Sequence, residues 1–177
     1  MNLRLTFRKT AAAAALVATA AGAAVSMQPD PAGATAYTQL FARNSFLNVA
    51  VADGSTAPGA RLIQWTYTGG NEQKWNMPDP GQTGPIYNVN SGLCVTTDGV
   101  PGHWLYQDRC DSRATQNWTV SKKTSFGVAN GSYKIKNSTT GLVWDVQGYS
   151  SNRGANIDGW YDKGDTYNNS NQAFFAG

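Results

Sequence analysis

The chain is poor in the residue types that most catalytic and metal sites require. Among its 177 residues there is one histidine, His103, one glutamate, Glu72, and two cysteines, Cys94 and Cys110. With one histidine and no Gly-x-Ser-x-Gly sequence, a histidine-based nucleophilic triad is poorly supported. The composition therefore predicts a protein that is not an enzyme and that uses no metal or cofactor.

Long apolar runs are absent except near the N-terminus. There Arg4, Arg8 and Lys9 precede an alanine-rich stretch, 11–25, that is too short for a confident membrane span. A basic segment followed by a short apolar segment and small residues is typical of a secretory signal peptide. We predict that residues 1–36 form this signal, with cleavage after Ala36 favoured over cleavage after Ala24. The protein is then secreted, extracellular and not inserted in a membrane.

Excess charge is also absent once this segment is set aside. Removing 36 residues from 177 leaves 141, the size of one domain, with 11 basic and 10 acidic side chains. Lys122 and Lys123 form a basic doublet that we expect in a solvated turn. A net charge of +1 gives no electrostatic reason to expect nucleic acid or an anionic membrane as a partner.

The two cysteines are an even number in a chain with an export signal, which favours a disulfide between Cys94 and Cys110. The bridge would enclose 15 residues, and the loop-entropy model gives it about 3 kcal/mol. A metal site is the alternative, and it is disfavoured because the chain has one histidine to share with the cysteines.

What the chain does contain is a repeated β pattern. Residues 37–177 are rich in Gly, Asn, Thr, Trp and Tyr, and short apolar–polar alternations such as SYKIKN (132–137) are separated by Gly and Asn turns. This pattern is typical of an all-β protein. Each of the hairpin sequences 48–54, 93–99 and 142–148 is followed by a second strand and then by Gln-x-aromatic. The three copies of that motif are Gln73–Trp75, Gln116–Trp118 and Gln172–Phe174.

Three repeats of this kind resemble the ricin-type β-trefoil lectin family, a family of carbohydrate-binding modules, over essentially all of residues 37–177. The resemblance implies an all-β fold: a β-trefoil of three pseudo-symmetric four-stranded repeats, at about 37–80, 81–124 and 125–177. It also implies that the aromatic residue of each Gln-x-aromatic lies in a shared core. The glutamine is then structural and satisfies nearby backbone groups.

The third repeat carries the sugar-binding residues that the resemblance implies. A sugar site needs a carboxylate for paired hydroxyls, an amide that donates and accepts, and an aromatic face for the apolar side of the ring. The residues that match the family's pattern are Asp145, Asp158, Trp160, Asn171 and Gln172. The structural alternative is that Asp145 caps a turn, Trp160 is plain core and Asn171 holds its own loop. Insertions in this repeat place Tyr149, Tyr161 and Tyr167 beside the expected pocket.

The first two repeats lack this set. When the hairpins are aligned on their last glycine, Val51 and Thr96 stand where the third repeat has Asp145. The first repeat retains Trp65 but has Glu72 at the amide position. Because the amides Asn71 and Gln64 lie only one residue out of register, a modified, weak sugar site in this repeat remains an alternative.

The second repeat departs further from the family's pattern. It has Asp108 at the aromatic position and Thr115 at the amide position. We do not expect either of the first two repeats to bind a sugar in the family manner. Trp104 and Tyr106 of the second repeat are expected to pack rather than to serve as a platform.

These patterns predict a secreted, non-catalytic lectin with one site for a galactose-like or xylose-like saccharide. The alternative is a secreted trefoil interaction protein, such as a protease inhibitor or a toxin-subunit-like binder, without sugar binding. The two differ in whether Asp145, Trp160 and Asn171 converge on one pocket. Asp158, Asp162 and Asp165, joined by Asp145, are candidates for a glycosidase pair, and Asp162, Asp165 and Asn168 for a calcium loop. Neither is favoured, because a small trefoil has no deep cleft and the spacing is not that of an EF-hand.

The chain end carries a prediction of its own. Because Phe174 belongs to the third Gln-x-aromatic, we expect it to be buried and its strand to close the barrel beside the segment 37–41. Phe175 should then point the other way.

Overall fold

The computed structural model describes residues 37–125, 128–165 and 169–177, and these ranges contain strands and short 3₁₀ turns but no α-helix. The strands are β1 (Thr38–Ala42), β2 (Asn48–Val51), β3 (Leu62–Trp65), β4 (Lys74–Asn76), β5 (Thr83–Gly84), β6 (Tyr87–Asn88), β7 (Cys94–Thr96), β8 (Tyr106–Asp108), β9 (Trp118–Ser125), β10 (Val128–Asn137), β11 (Val143–Val146), β12 (Ile157–Trp160) and β13 (Phe174–Ala176). The 3₁₀ turns are Ala52–Gly54, Asn71–Gln73, Ala114–Gln116, Gln147–Tyr149 and Ser170–Gln172.

All of these strands belong to one hydrogen-bonded sheet that curls on itself as a β-trefoil. Each repeat supplies four strands, and the predicted fold class is confirmed. The count is thirteen rather than twelve because the first strand of the second repeat is interrupted between β5 and β6. Pro85 lies in the gap, and proline lacks the N–H group that a continuous ladder would need there.

The core is built around one tryptophan that breaks the threefold symmetry. Trp144 is fully buried and meets Trp75, Trp118 and Phe174 edge to face, at ring-centroid distances of 6.2, 5.8 and 6.0 Å. These three rings are the aromatic members of the Gln-x-aromatic motifs, so the prediction that they share a core is confirmed. In the third repeat the hairpin residue is the large Trp144 and the motif aromatic is the smaller Phe174. The combined volume of these two side chains therefore stays compatible with close packing.

The three motif glutamines make the same bonds in each repeat. Each donates its amide N–H to a carbonyl oxygen (Thr66, Arg109 and Tyr161, respectively) at 2.7, 2.7 and 2.8 Å. Each side-chain oxygen accepts the backbone N–H two residues further on (Thr68, Asp111 and Lys163) at 2.8, 3.1 and 3.0 Å. The glutamines are buried, and they pin the end of each hairpin to the strand that enters the core.

The strand pairing corrects the alignment of the first hairpin. Asn48 lies opposite Trp65 and Val143 lies opposite Trp160, so the first-repeat counterpart of Asp145 is Ala50 and not Val51. The shift arises because Asp53 adopts a left-handed conformation, with φ of 57°, where the other hairpins use glycine. Aspartate tolerates this region better than most residues, and alignment on glycine therefore slips by one position.

The ends of the described domain are joined. β13 pairs with β1 antiparallel, with Phe41 opposite Phe175. The backbones of Gln39 and Gly177 exchange N–H···O bonds of 3.0 and 3.1 Å. Phe174 is fully buried, whereas Phe175 stacks on the exposed ring of Phe46 at 6.1 Å. The predicted burial of Phe174 and closure beside the first strand are confirmed.

The basic doublet differs from expectation. Lys123 is on β9 and only 1% exposed, while Lys122 is exposed. The Lys123 ammonium donates to the carbonyl oxygens of Gly164 and Asn169, both at 3.4 Å, and burial lowers its pKa. Lys123 therefore tethers the loop before β13 and does not belong to a solvated turn.

The disulfide prediction is confirmed, since Cys94 and Cys110 are bonded and join β7 to the segment that follows β8. Within the described ranges, no helix is long and apolar enough to cross a membrane.

Candidate functional site

A pocket in the third repeat gathers four of the five residues that the sequence singled out. Its volume is about 530 Å³, and its lining residues are Gly102, Asp145, Gln147, Gly148, Tyr149, Asp158, Trp160, Lys163 and Asn171. β11 supplies Asp145, β12 supplies Asp158 and Trp160, and the 3₁₀ turn before β13 supplies Asn171. Asp145, Trp160 and Asn171 thus converge, and the interpretation in which they point apart is wrong.

Asp145 lies at the floor of this pocket and is only 3% exposed. Its carboxylate accepts from Asn171 Nδ2 at 2.6 Å, Gln172 Nε2 at 2.7 Å and Lys163 Nζ at 2.8 Å. A carboxylate offers about four acceptor positions. Three are used by the protein, so one remains for a further hydrogen-bond donor.

Asp158 lies directly opposite Asp145 in the ladder between β11 and β12 and is also 3% exposed. The pKa of Asp158 is raised to about 7, mainly because the group is buried and secondarily because the Asp145 charge is close. The positive charge of Lys163 acts in the opposite direction. Its Oδ1 atom is buried and has no hydrogen-bond partner among the described residues. Near neutral pH this group therefore passes from a carboxylic acid, which can donate, to a carboxylate, which only accepts.

The two adjacent amides of the 3₁₀ turn divide in role. Asn171 Nδ2 donates to Asp145 and to Val146 O at 3.3 Å, whereas its Oδ1 is buried without a partner in the described part of the chain. Asn171 thus presents a spare acceptor beside the pocket. Gln172 is fully buried and does not line the pocket. Its contribution is to hold Asp145 from below.

Trp160 forms the aromatic wall and is 37% exposed. A Cβ atom on Gly102, which has φ of +84°, would lie 2.9 Å from Trp160 Cζ3. The absence of a side chain at Gly102 is therefore what lets this ring lie against the second repeat. Tyr161 meets Trp160 edge to face, with 5.9 Å between the ring centroids, and it does not line the pocket.

Tyr149 lines the rim as expected, and its hydroxyl is hydrogen-bonded to Ser170 Oγ. This bond links the turn after β11 to the turn that carries Asn171. Tyr167 and Asn168 lie outside the described residues.

Sequence reasoning missed Lys163, Gln147 and Gly102. Lys163 is the counterpart of Thr68 and Asp111, which are not lysines, so the repeat pattern does not mark it, and Gly102 belongs to the neighbouring repeat. The repeat pattern relates equivalent positions within repeats, so it carries no signal for contacts between them.

The first repeat has a smaller pocket of about 230 Å³ that includes Trp65 and Glu72. Ala50 and Ile63 stand where the third repeat has Asp145 and Asp158, so its floor is apolar. Gln64 is fully buried and donates to Ser150 O and Asn152 O at 2.9 and 2.8 Å. It is therefore a structural residue, whereas Asn71, the other amide considered for a modified site, accepts from Lys74 Nζ at 3.0 Å and does not line this pocket.

In the second repeat, the residues at the positions equivalent to the third-repeat pocket are hydrogen-bonded to other residues of the same repeat. Arg113 donates to Asp108 at 2.8 Å, and Gln116 donates to the buried Thr96 hydroxyl at 3.0 Å. Trp104, however, is 50% exposed, which contradicts the packing role expected for it.

The acidic cluster beside the pocket is occupied by a lysine. Lys134 contacts Asp162 at 2.9 Å and Asp165 at 2.6 Å. Among the residues with described positions, no group of His, Cys, Asp and Glu side chains is arranged to hold a metal ion.

Comparison with known proteins identifies the family. The model of the ricin-type β-trefoil lectin domain-like family matches residues 30–100 and 71–160, which overlap and together span most of the chain. The chain belongs to the ricin-type β-trefoil lectin domain-like family. No curated protein sequence matches it.

Solved structures share this fold. A designed threefold-symmetric protein, ThreeFoil, has 27% identity and a TM-score of 0.69, over 79% of this chain and 96% of its own. An exo-β-1,3-galactanase from Clostridium thermocellum has 28% identity and a TM-score of 0.70, over 84% of this chain but only 30% of its own. The ricin B-like lectin of Macrolepiota procera, in complex with lactose, has 13% identity and a TM-score of 0.64, over 83% and 98%.

Proposed function

We propose that this protein is a secreted, non-catalytic lectin that binds a saccharide in the third-repeat pocket. The observation that carries the proposal is the convergence of Asp145, Asp158, Trp160 and Asn171 on one pocket. The pocket offers an aromatic face beside two buried oxygens, Asp158 Oδ1 and Asn171 Oδ1, that accept no hydrogen bond from any residue the structure describes. Sugars present an apolar ring face next to hydroxyl groups that need acceptors, and this arrangement suits both.

The proposal extends to the class of sugar and to the compartment. A galactose-like or xylose-like saccharide is proposed, since the family resemblance implies it and the Macrolepiota lectin is a lactose complex. Secretion with cleavage after Ala36 is proposed from the N-terminal sequence. The Cys94–Cys110 disulfide supports it, because such bonds persist in oxidising compartments.

A glycan array with the full-length chain, expressed with its leader and recovered after export, tests the function. Trp160→Ala should abolish binding, and the matched control is Trp65→Ala, which removes the equivalent exposed ring of the first repeat. No binding of the wild-type protein to any glycan would refute the lectin proposal. Equal loss of glycan binding in both variants would show that the sugar site lies elsewhere in the protein. N-terminal sequencing of the exported protein should begin at Tyr37, and an intact Met1 would refute cleavage.

A further inference from the structure

The segment 102–105 of the second repeat runs along the outer edge of β12. Gly102 N donates to Gly159 O at 2.8 Å, Gly159 N donates to His103 O at 3.0 Å, and Leu105 N donates to Ile157 O at 2.8 Å. These backbone bonds fix the second repeat against the strand that carries two pocket residues. The backbone of this segment is therefore fixed beside the pocket.

Within this pairing Trp104 lies directly opposite Asp158, which itself lies opposite Asp145. Directly opposed residues on antiparallel strands project from the same face of a sheet. Trp104 therefore stands in one row with the two pocket carboxylates, one strand spacing of about 4.8 Å from Asp158 and two such spacings from Asp145.

A second cavity of about 390 Å³ surrounds Trp104, and its lining residues are Asp98, Gly102, His103, Trp104, Tyr106 and Gln147. Gly102 and Gln147 also line the third-repeat pocket, so the two spaces adjoin. Gln147 donates to Gly102 O at 3.4 Å and spans their boundary. The cavity is lined by five residues of the second repeat and by Gln147 of the third. It does not include the second repeat's counterpart of Trp160, Asp108, which is bonded to Arg113.

The groups around this cavity are those that a sugar site uses. Trp104 offers a half-exposed ring, and Asp98 and His103 form a partly exposed pair with 2.6 Å between Oδ2 and Nδ1. Burial would raise the pKa of Asp98, but hydrogen bonds from His103 and the Val100 N–H outweigh it and lower that pKa. Asp98 is thus an ionised acceptor at neutral pH.

We propose that the cavity around Trp104 is a second sugar subsite, so that the protein recognises an oligosaccharide whose adjoining unit stacks on Trp104. This inference rests on the proposed lectin function, because the first unit occupies the third-repeat pocket. The continuous row from Asp145 through Asp158 to Trp104 sets the direction in which the oligosaccharide extends.

Calorimetric titration with galactose and lactose, and with xylose and xylotriose, tests the subsite. To the exported protein, at least one of the longer probes should bind about tenfold more tightly than the corresponding monosaccharide. Trp104→Ala should remove that preference and leave monosaccharide affinity unchanged, whereas Trp104→Phe should retain most of it. Trp65→Ala is the matched control, and thermal unfolding of each variant verifies that it is folded.

The outcomes separate the two proposals. If monosaccharide and longer probe bind equally to the wild type, or if Trp104→Ala keeps the preference, the subsite is refuted while the lectin function stands. If Trp160→Ala abolishes binding of all probes and Trp104→Ala weakens only the longer ones, both are supported. If the wild-type protein binds none of the probes or the arrayed glycans, both fail together.

Discussion

Replacing Asp158 with asparagine should stabilise the protein in a manner that depends on pH. The buried acid releases its proton at about pH 7 in the folded state, against the ordinary value of 3.8. Between these values the folded state holds more protons than the unfolded state. The free energy of unfolding of the wild-type protein therefore falls as pH rises through this window. An asparagine of the same shape does not titrate and escapes this loss.

The size of the effect follows from the difference between 3.8 and about 7. At 1.36 kcal/mol per pH unit this difference corresponds to about 4 kcal/mol, as an order of magnitude. The free energy of unfolding of Asp158→Asn should thus differ little from that of the wild type near about pH 4. The variant should become progressively more stable than the wild type up to about pH 7, and the advantage should stay level above that.

Urea unfolding across this range measures the difference directly, and NMR titration of the Asp158 carboxyl group measures its pKa. Asp79→Asn, which changes a carboxylate outside the pocket, is the matched control. A stability difference for Asp158→Asn that does not vary with pH, or a titration near the ordinary aspartate value, would refute the reasoning about burial and the Asp145 charge.

Other substitutions test the remaining parts of the structure. Trp144→Ala should cost about 3–5 kcal/mol, because it removes the ring that the three motif aromatics contact; a loss under about 1 kcal/mol in urea unfolding would contradict that central position. Asp145→Ala should cost about 3–5 kcal/mol by leaving three donors without their acceptor, and Asp145→Asn should cost less by the same measurement. Deleting residues 172–177 should abolish cooperative thermal unfolding, since it removes β13 and Phe174; a deletion variant that melts like the wild type would refute closure by the last strand.

The fold and the centre of the site were predictable because the chain repeats itself. Three copies of Gln-x-aromatic carry the resemblance to the ricin-type family, and that resemblance implies Asp145, Trp160 and Asn171, which the structure brings together. The same logic predicted buried structural glutamines. A repeat pattern carries this information because equivalent residues in a pseudo-symmetric fold meet equivalent surroundings.

What could not be predicted depends on contacts between repeats or on backbone conformation. Gly102 and Trp104 come from the neighbouring repeat, and Lys163 stands where the other repeats have Thr68 and Asp111. Ala50 was not recognised as the counterpart of Asp145, because Asp53 takes the left-handed backbone conformation that a glycine takes in the other two hairpins. Lys123 lies in a doublet typical of solvent, but its ammonium meets carbonyl groups of a loop more than forty residues away.

The pairing of β1 with β13 has a consequence for how the chain is made. Besides β2 and β4, Thr38–Ala42 pairs with Phe174–Ala176, the last strand to be made. At synthesis rates of about 5–20 residues per second, the first strand waits on the order of ten seconds for its neighbour. During that interval its apolar residues and open backbone edge are available to other chains. The delay between making the first strand and making its last partner is therefore an interval in which this fold is exposed to misassociation.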